Sequence, residues 1–344
     1  MRNDQPSRAL ADRPKQTPFD QPTRTSGRPM TRRAALATGA TALVAAAGCL
    51  GGTRLSHGWN EVNAPTDAAL YDVVMTLDGP IAVGEGGVVL GRRGSDWQAI
   101  TENGPGDASN GLVAADVTDD GNAVWFVGDS GAIGRLNVVS GRVTDYSAPN
   151  GKTSSWEGLA VDGRAGRESV FAVNGSGELL PGTYGGGTVS WGQVSKPSGG
   201  ESVAAIDVHR GTGYIADTGG GVYRTARNGW QTVGIRGAGV SLTDLSVVDK
   251  TLVNVTTEEG DIYVYNGHNW LLVTTADSAL HAIDRRSGRG LAAGVGGTVL
   301  SLESNQWQSQ ESPTSNTLHG CALGTASYSD VAVGANGVVL ELFG

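Results

Sequence analysis

Cysteine is nearly absent from this chain: Cys49 and Cys321 are the only two in 344 residues, so a disulfide framework is excluded. Lysine and phenylalanine are each limited to four residues. There is no Walker-type phosphate loop, no HExxH, no CxxC pair and no acidic loop of EF-hand spacing, which removes the commonest nucleotide, zinc and calcium sites. Long helical stripes are missing too. Outside one N-terminal stretch the apolar residues come in runs of four to eight, punctuated by 54 glycines. Short apolar runs separated by glycine turns define an all-β chain.

Positive charge is scarce beyond the N-terminus. Residues 1–48 hold eight Arg/Lys and three Asp/Glu, leaving 17 basic and 31 acidic residues in the remainder, a net charge of -14. A surface this acidic repels phosphate backbones, so no nucleic-acid partner is expected. Rare lysine beside abundant Asp, Glu, Gly and Thr resembles the composition of proteins from extreme halophiles.

The N-terminal stretch reads as an address. Residues 1–29 are rich in Pro, Arg, Thr and Gln without apolar periodicity, and are expected to be a disordered extension; Met30 offers an alternative start. Arg32 and Arg33 then precede an Ala/Leu/Val stretch that ends in Ala46-Ala47-Gly48-Cys49. This resembles a twin-arginine export signal with a lipobox over residues 30–48, which implies lipid attachment at Cys49 and a short linker at 49–57. The competing reading is a membrane span, but 19 residues rich in Ala, Gly and Thr lie near the lower limit for one. The expected location is the outer face of the cytoplasmic membrane.

From residue 58 onward one unit recurs. Gly84-Glu85-Gly86-Gly87-Val88-Val89-Leu90 returns as Gly294–Leu300 and Gly334–Leu340, with weaker copies around Gly131, Gly177, Gly220 and Gly260. The final turn glycines 87, 131, 177, 220, 260, 297 and 337 are spaced by 37 to 46 residues, the period of a propeller blade. A tight turn between twisted strands needs a residue at positive φ, where a Cβ is costly. Ten residues after the turn stands Trp97, Trp230, Trp270 or Trp307; Trp191 and Tyr146 are assigned the same place after insertions. These aromatics are expected to open the outermost strand and pack between blades. The seventh copy ends at Gly344 without a Trp strand, whereas Trp59–Val62 precedes the first inner strand. Residues 58–344 are therefore expected to form one seven-bladed β-propeller, its last blade closed by the N-terminal strand.

The Ala-Val-Gly-x-x-Gly-Val-Val-Leu units at Ala82–Leu90 and Ala332–Leu340, with their Trp strands, resemble the repeats of Ycf48/HCF136 photosystem II assembly and stability factors, within the BNR/sialidase-like propellers. The resemblance implies a propeller acting in complex assembly. Arg92, Arg93, Arg164, Arg167, Arg285, Arg286 and Arg289 look scattered and outnumbered, so that family's arginine-rich contact is not carried over.

Catalysis of the sialidase kind needs a Tyr–Glu pair, an acid/base carboxylate and arginines at the inner-strand starts. No arginine stands there, and no catalytic set, metal site or cofactor is expected. The inner-strand starts offer a candidate binding rim instead: Tyr71, Asp72, Trp156, Glu157, Asp244, His281 and His319. Two histidines with a carboxylate could hold a metal, but hydrogen bonds to backbone carbonyls are favoured. The reading is a monomeric scaffold for a protein partner, with a glycan-binding or glycoside-cleaving propeller as the alternative.

Overall fold

The computed structural model describes residues 57–235 and 239–344; the export signal expected from the sequence, with Arg32, Arg33 and Cys49, lies outside them. Every strand falls in one of seven antiparallel four-stranded sheets. Strands are lettered A to D from the channel outward. In blade 1 they are Leu70–Thr76, Gly79–Gly84, Val89–Arg93 and Asp96–Thr101. Strands A of the other blades are Leu112–Val117, Gly158–Asp162, Val203–His209, Leu242–Asp249, Leu280–Arg286 and Leu318–Ala322. Each contacts the next around a closed ring, with Leu318–Ala322 meeting Leu70–Thr76. The protein is a seven-bladed β-propeller.

Blade 7 takes strands A, B and C from the C-terminus and strand D from the N-terminus. Gly58–Val62 pairs antiparallel with Val339–Phe343, placing Trp59 opposite Leu342 and Val62 opposite Val339. Closure of this kind removes the long exposed edges an open sheet would carry.

All seven turn glycines have φ between 70° and 88°. Gly337 shows a second reason for the residue. A Cβ there would lie 2.0 Å from the Thr66 carbonyl oxygen, because the chain entering the next blade runs directly over the turn. Only glycine satisfies both constraints.

The hydrophobic core has no single centre. Its buried residues form seven clusters, each shared by two neighbouring blades. Trp97 in blade 1 packs against blade 7, Trp230 against blade 3, and Trp270 donates its indole N–H to the Val233 carbonyl of blade 4. Two aromatics depart from the expected pattern. Tyr146 follows strand D of blade 2 (Arg142–Asp145) and donates its hydroxyl to Gly187 of blade 3. Trp191 closes its strand D, Thr188–Trp191, where the other tryptophans open theirs. The insertions in these two blades shift where the aromatic falls along the strand.

Candidate functional site

The antiparallel order gives the disc two unlike ends. Strands A begin, the glycine turns sit and the blade-to-blade links run at one end, the turn end. The A–B and C–D hairpins lie at the other, the hairpin end.

Six strands A share an irregularity after their first residue, where two residues oppose one on strand B. In blade 1 the shift falls between Leu70 and Asp72, with Tyr71 as the extra residue. A bulge re-aims a side chain and interrupts the strict alternation. The first residue, such as Leu70, Leu242, Leu280 or Leu318, goes into the core. The second goes to the channel mouth: Tyr71, Thr243, His281 and His319, all half-buried. These four stand on consecutive blades. The Tyr71 and His319 rings are 5.7 Å apart, and His319 stacks parallel to His281 at 5.8 Å. Thr243 donates its hydroxyl to the Leu280 carbonyl at 2.6 Å, continuing the row to blade 5. Glu157 holds the matching place in blade 3, against Gly175, whose missing side chain leaves it room.

Three of the seven rim residues expected from the sequence have other surroundings. Trp156 is fully buried and packs with Trp125 between blades 2 and 3. It takes the core-facing first position that leucine fills in five blades and Val203 in blade 4. Asp72 and Asp244 face the channel but are engaged: Asp72 Oδ2 accepts the Ala115 amide at 2.9 Å, and Asp244 Oδ2 the Ile283 amide at 2.9 Å.

Those two belong to a ring that the sequence reading missed. Asp116 Oδ2 accepts from Val161 N at 2.6 Å, Asp207 Oδ2 from Val247 N at 2.6 Å, and Asp284 Oδ2 from Leu323 N at 2.8 Å. Every bond runs from strand A of one blade to strand A of the next or, in blade 7, to the residue just past it. An innermost strand has an unpaired edge facing the channel, and a buried amide left without an acceptor is costly. The carboxylates supply acceptors, each tying one blade to its successor. The signal was present in Leu112-Val113-Ala114-Ala115-Asp116, Val203-Ala204-Ala205-Ile206-Asp207 and Leu280-His281-Ala282-Ile283-Asp284, where Asp recurs at the fifth strand position. At the junction of blades 7 and 1 the carboxylate is replaced by close approach: a Cβ on Gly320 would lie 2.7 Å from Asp72 Cα.

Burial and mutual repulsion disturb three of these acids, Asp116, Asp207 and Asp284. All five channel acids are half-buried. Desolvation, reinforced by Asp207 and Asp72, pushes Asp116 well above the usual carboxylate range. Burial lifts Asp207 to about 6, with Asp284 and Asp244 adding to the rise. Asp284 is also raised by burial, against the pull of Arg286. Cys321 is buried, with Sγ 3.6 Å from the Leu291 carbonyl, and burial pushes its thiol up. Among the described residues, no group of three or more His, Cys, Asp or Glu side chains could hold a metal.

The arginines that look scattered in the sequence are gathered by the topology. Arg92 and Arg93 end strand C of blade 1, Arg164 and Arg167 lie between Asp162 and Ser169 of blade 3, and Arg285, Arg286 and Arg289 flank the A–B hairpin of blade 6. All seven are at the hairpin end. Lys152 and Lys196 are the only described lysines or arginines at the turn end, where Glu85, Asp129, Glu201, Glu258 and Asp277 stand among many acids. The disc is electrostatically two-sided.

Fold and site together define a seven-bladed β-propeller with an aromatic and imidazole row at the turn-end mouth of its channel. No family model matches the sequence, and no curated protein matches it either. Among solved structures it is similar to YCF48 bound to D1 peptide, with a TM-score of 0.66 at 14% identity over 84% of this chain and 96% of that one. YCF48 from Cyanidioschyzon merolae aligns with a TM-score of 0.63 at 18% identity, covering 83% and 98%. Virginiamycin B lyase from Staphylococcus aureus aligns with a TM-score of 0.67 at 14% identity, covering 84% and 100%. Neighbours on this fold thus include both a peptide-bound protein and an enzyme; at these identities the likeness is one of fold.

Proposed function

We propose that this chain is a non-catalytic scaffold, exported and lipid-anchored through Cys49 on the outer face of the cytoplasmic membrane, whose turn end docks another protein. The observation that carries the reading is the row Tyr71–His319–His281, three rings on consecutive blades aimed at one mouth by a bulge the fold repeats. Rigid rings with polar edges suit contact with a protein segment. The acids around them favour a segment that carries positive charge. The peptide-bound neighbour supports a protein segment as the occupant of such a disc. Arg32, Arg33 and the Ala-Ala-Gly-Cys run support export and anchoring.

Affinity capture from membranes at high salt tests the docking. A partner retained by the native chain should be lost from the Tyr71→Ala/His281→Ala/His319→Ala variant. Equal recovery by both chains, or no partner with either, overturns the reading. Turnover of fluorogenic glycosides by the purified protein would replace it with the enzymatic alternative. For the anchor, Cys49→Ser should move the protein from the detergent phase to the aqueous phase; unchanged partitioning removes the lipid from the account.

A further inference from the structure

The hairpin end differs in chemistry from the turn end. Arg142, Arg164, Arg167, Arg210 and Arg227 project there from blades 2, 3 and 4, all exposed, and none forms an ion pair among the described residues. Asp96, Asp119, Asp249 and Glu303 are exposed at this end as well, while other acids there are engaged within the protein. Asp78 pairs with Arg93 and Asp330 with Arg289; Asp162 accepts the Gly211 amide and Asp120 the Ala165 amide. Two aliphatic side chains stand among these arginines at hairpin tips, Val139 at 80% exposure and Leu77 at 69%. The chain also enters the disc at this end, since Gly58 opens strand D of blade 7 opposite Phe343.

We propose that the hairpin end is a docking surface for an anionic lipid bilayer, on which the disc lies flat. The tips belong to separate blades and share one end, so a planar surface meets several at once where a single peptide would span few. Arginine forms forked hydrogen bonds to phosphate oxygens, which lysine cannot match, and exposed Val and Leu enter the headgroup boundary. The end opposite carries the acids and would be repelled by the same bilayer. This deepens the anchored-scaffold reading: it turns the ring row outward, towards a partner. It rests on that reading only for the place of the lipid.

The test uses the full chain carrying Cys49→Ser, so that no covalent lipid contributes, in co-sedimentation with phosphatidylcholine vesicles with and without phosphatidylglycerol. Any binding through the N-terminal apolar stretch is common to all variants, and the difference between them is read. Arg164→Gln/Arg167→Gln/Arg210→Gln should weaken binding to the anionic vesicles on the order of a hundredfold. Lys152→Gln/Lys196→Gln, at the other end, should leave it unchanged. Val139→Ser should weaken vesicle binding while leaving any binding of soluble poly-glutamate as it was. Thermal melts establish that each variant is folded, and Arg210→Gln alone, with a several-fold loss, serves if the triple variant is not. No preference for anionic vesicles overturns the proposal, as does equal weakening at both ends. Poly-glutamate binding that matches vesicle binding and ignores Val139 assigns the surface to an acidic protein instead. A Cys49 that proves unlipidated in cells refutes the anchor and leaves this outcome standing.

Discussion

Glu341, on strand C of the last blade, accepts hydrogen bonds on one carboxylate oxygen from Arg92 Nε at 2.6 Å and from the Trp97 indole N–H at 2.8 Å, 249 and 244 residues away along the chain. Both donors belong to the first blade. The seam of the ring is thus held twice: by the pairing of Gly58–Val62 within blade 7, and by a buried carboxylate between blades 7 and 1. Glu341 is 2% exposed at its side chain, so its charge depends on these donors for compensation.

Glu341→Leu should lower stability by about 3 kcal/mol, since it leaves Arg92 without its counter-ion and Trp97 without an acceptor. Adding Arg92→Met should recover part of that loss, because the orphaned charge is then removed. Urea unfolding of the two single variants and the double variant measures both. A double variant no more stable than Glu341→Leu would show that the pair does not couple.

Deleting residues 1–64 removes strand D of blade 7 and uncovers Trp59's place against blade 6. The ring should lose stability as a whole, with its melting transition lowered and broadened. A truncated protein that melts like the intact one would show that closure contributes nothing.

Gly337 and Gly94 separate two penalties. Both lie at positive φ, at 70° and 62°, but a Cβ at Gly94 meets nothing within 4 Å, whereas at Gly337 it strikes the Thr66 carbonyl. Gly94→Ala should cost about 1 kcal/mol for its backbone conformation alone. Gly337→Ala should cost several times as much and impair folded yield, read by soluble expression and thermal melts. Equal costs would mean that the link between blades yields easily.

The fold was legible because its constraints are local and repeated. Each turn demands a glycine at positive φ, and each strand D carries or, in blade 2, is followed by an aromatic that anchors it to a neighbouring blade. Seven copies made the period visible, and Trp59 stood where the seventh blade lacked a strand. The candidate site was less legible because one bulge changes the alternation. Trp156 falls at the first, core-facing position of its blade, whereas Tyr71, one position later in its own blade, is sent to the mouth by the bulge. Asp116, Asp207 and Asp284 recur in the sequence, yet their bonds cross from blade to blade and only the closed ring aligns donor with acceptor. The arginines were opaque for the same reason, since hairpins far apart along the chain are brought to one end by topology alone.

The carboxylate ring gives the protein an inverted response to mild acid. Asp207 is lifted to about 6 in the folded state, and Asp116 and Asp284 are raised as well, mainly by burial. An unfolded aspartate titrates near 3.9, so between roughly pH 4 and 6 the folded protein holds more protons than the unfolded chain. Stability must then fall as pH rises through this window, and it is recovered as pH is lowered from 7 towards 5. Carboxylates held low, such as Asp120 at about 2, act the other way only as pH falls below their unfolded range. Asp207→Asn keeps an oxygen for the Val247 amide while removing the charge. That variant should melt higher than the native protein at pH 7.5 and show a flatter pH dependence between 5 and 7. Melting curves across that range, at one fixed salt concentration, compare the two directly. A native protein that loses stability steadily from pH 7 to 5, with Asp207→Asn doing the same, would mean that the channel carboxylates are solvated well enough to ionise at no cost.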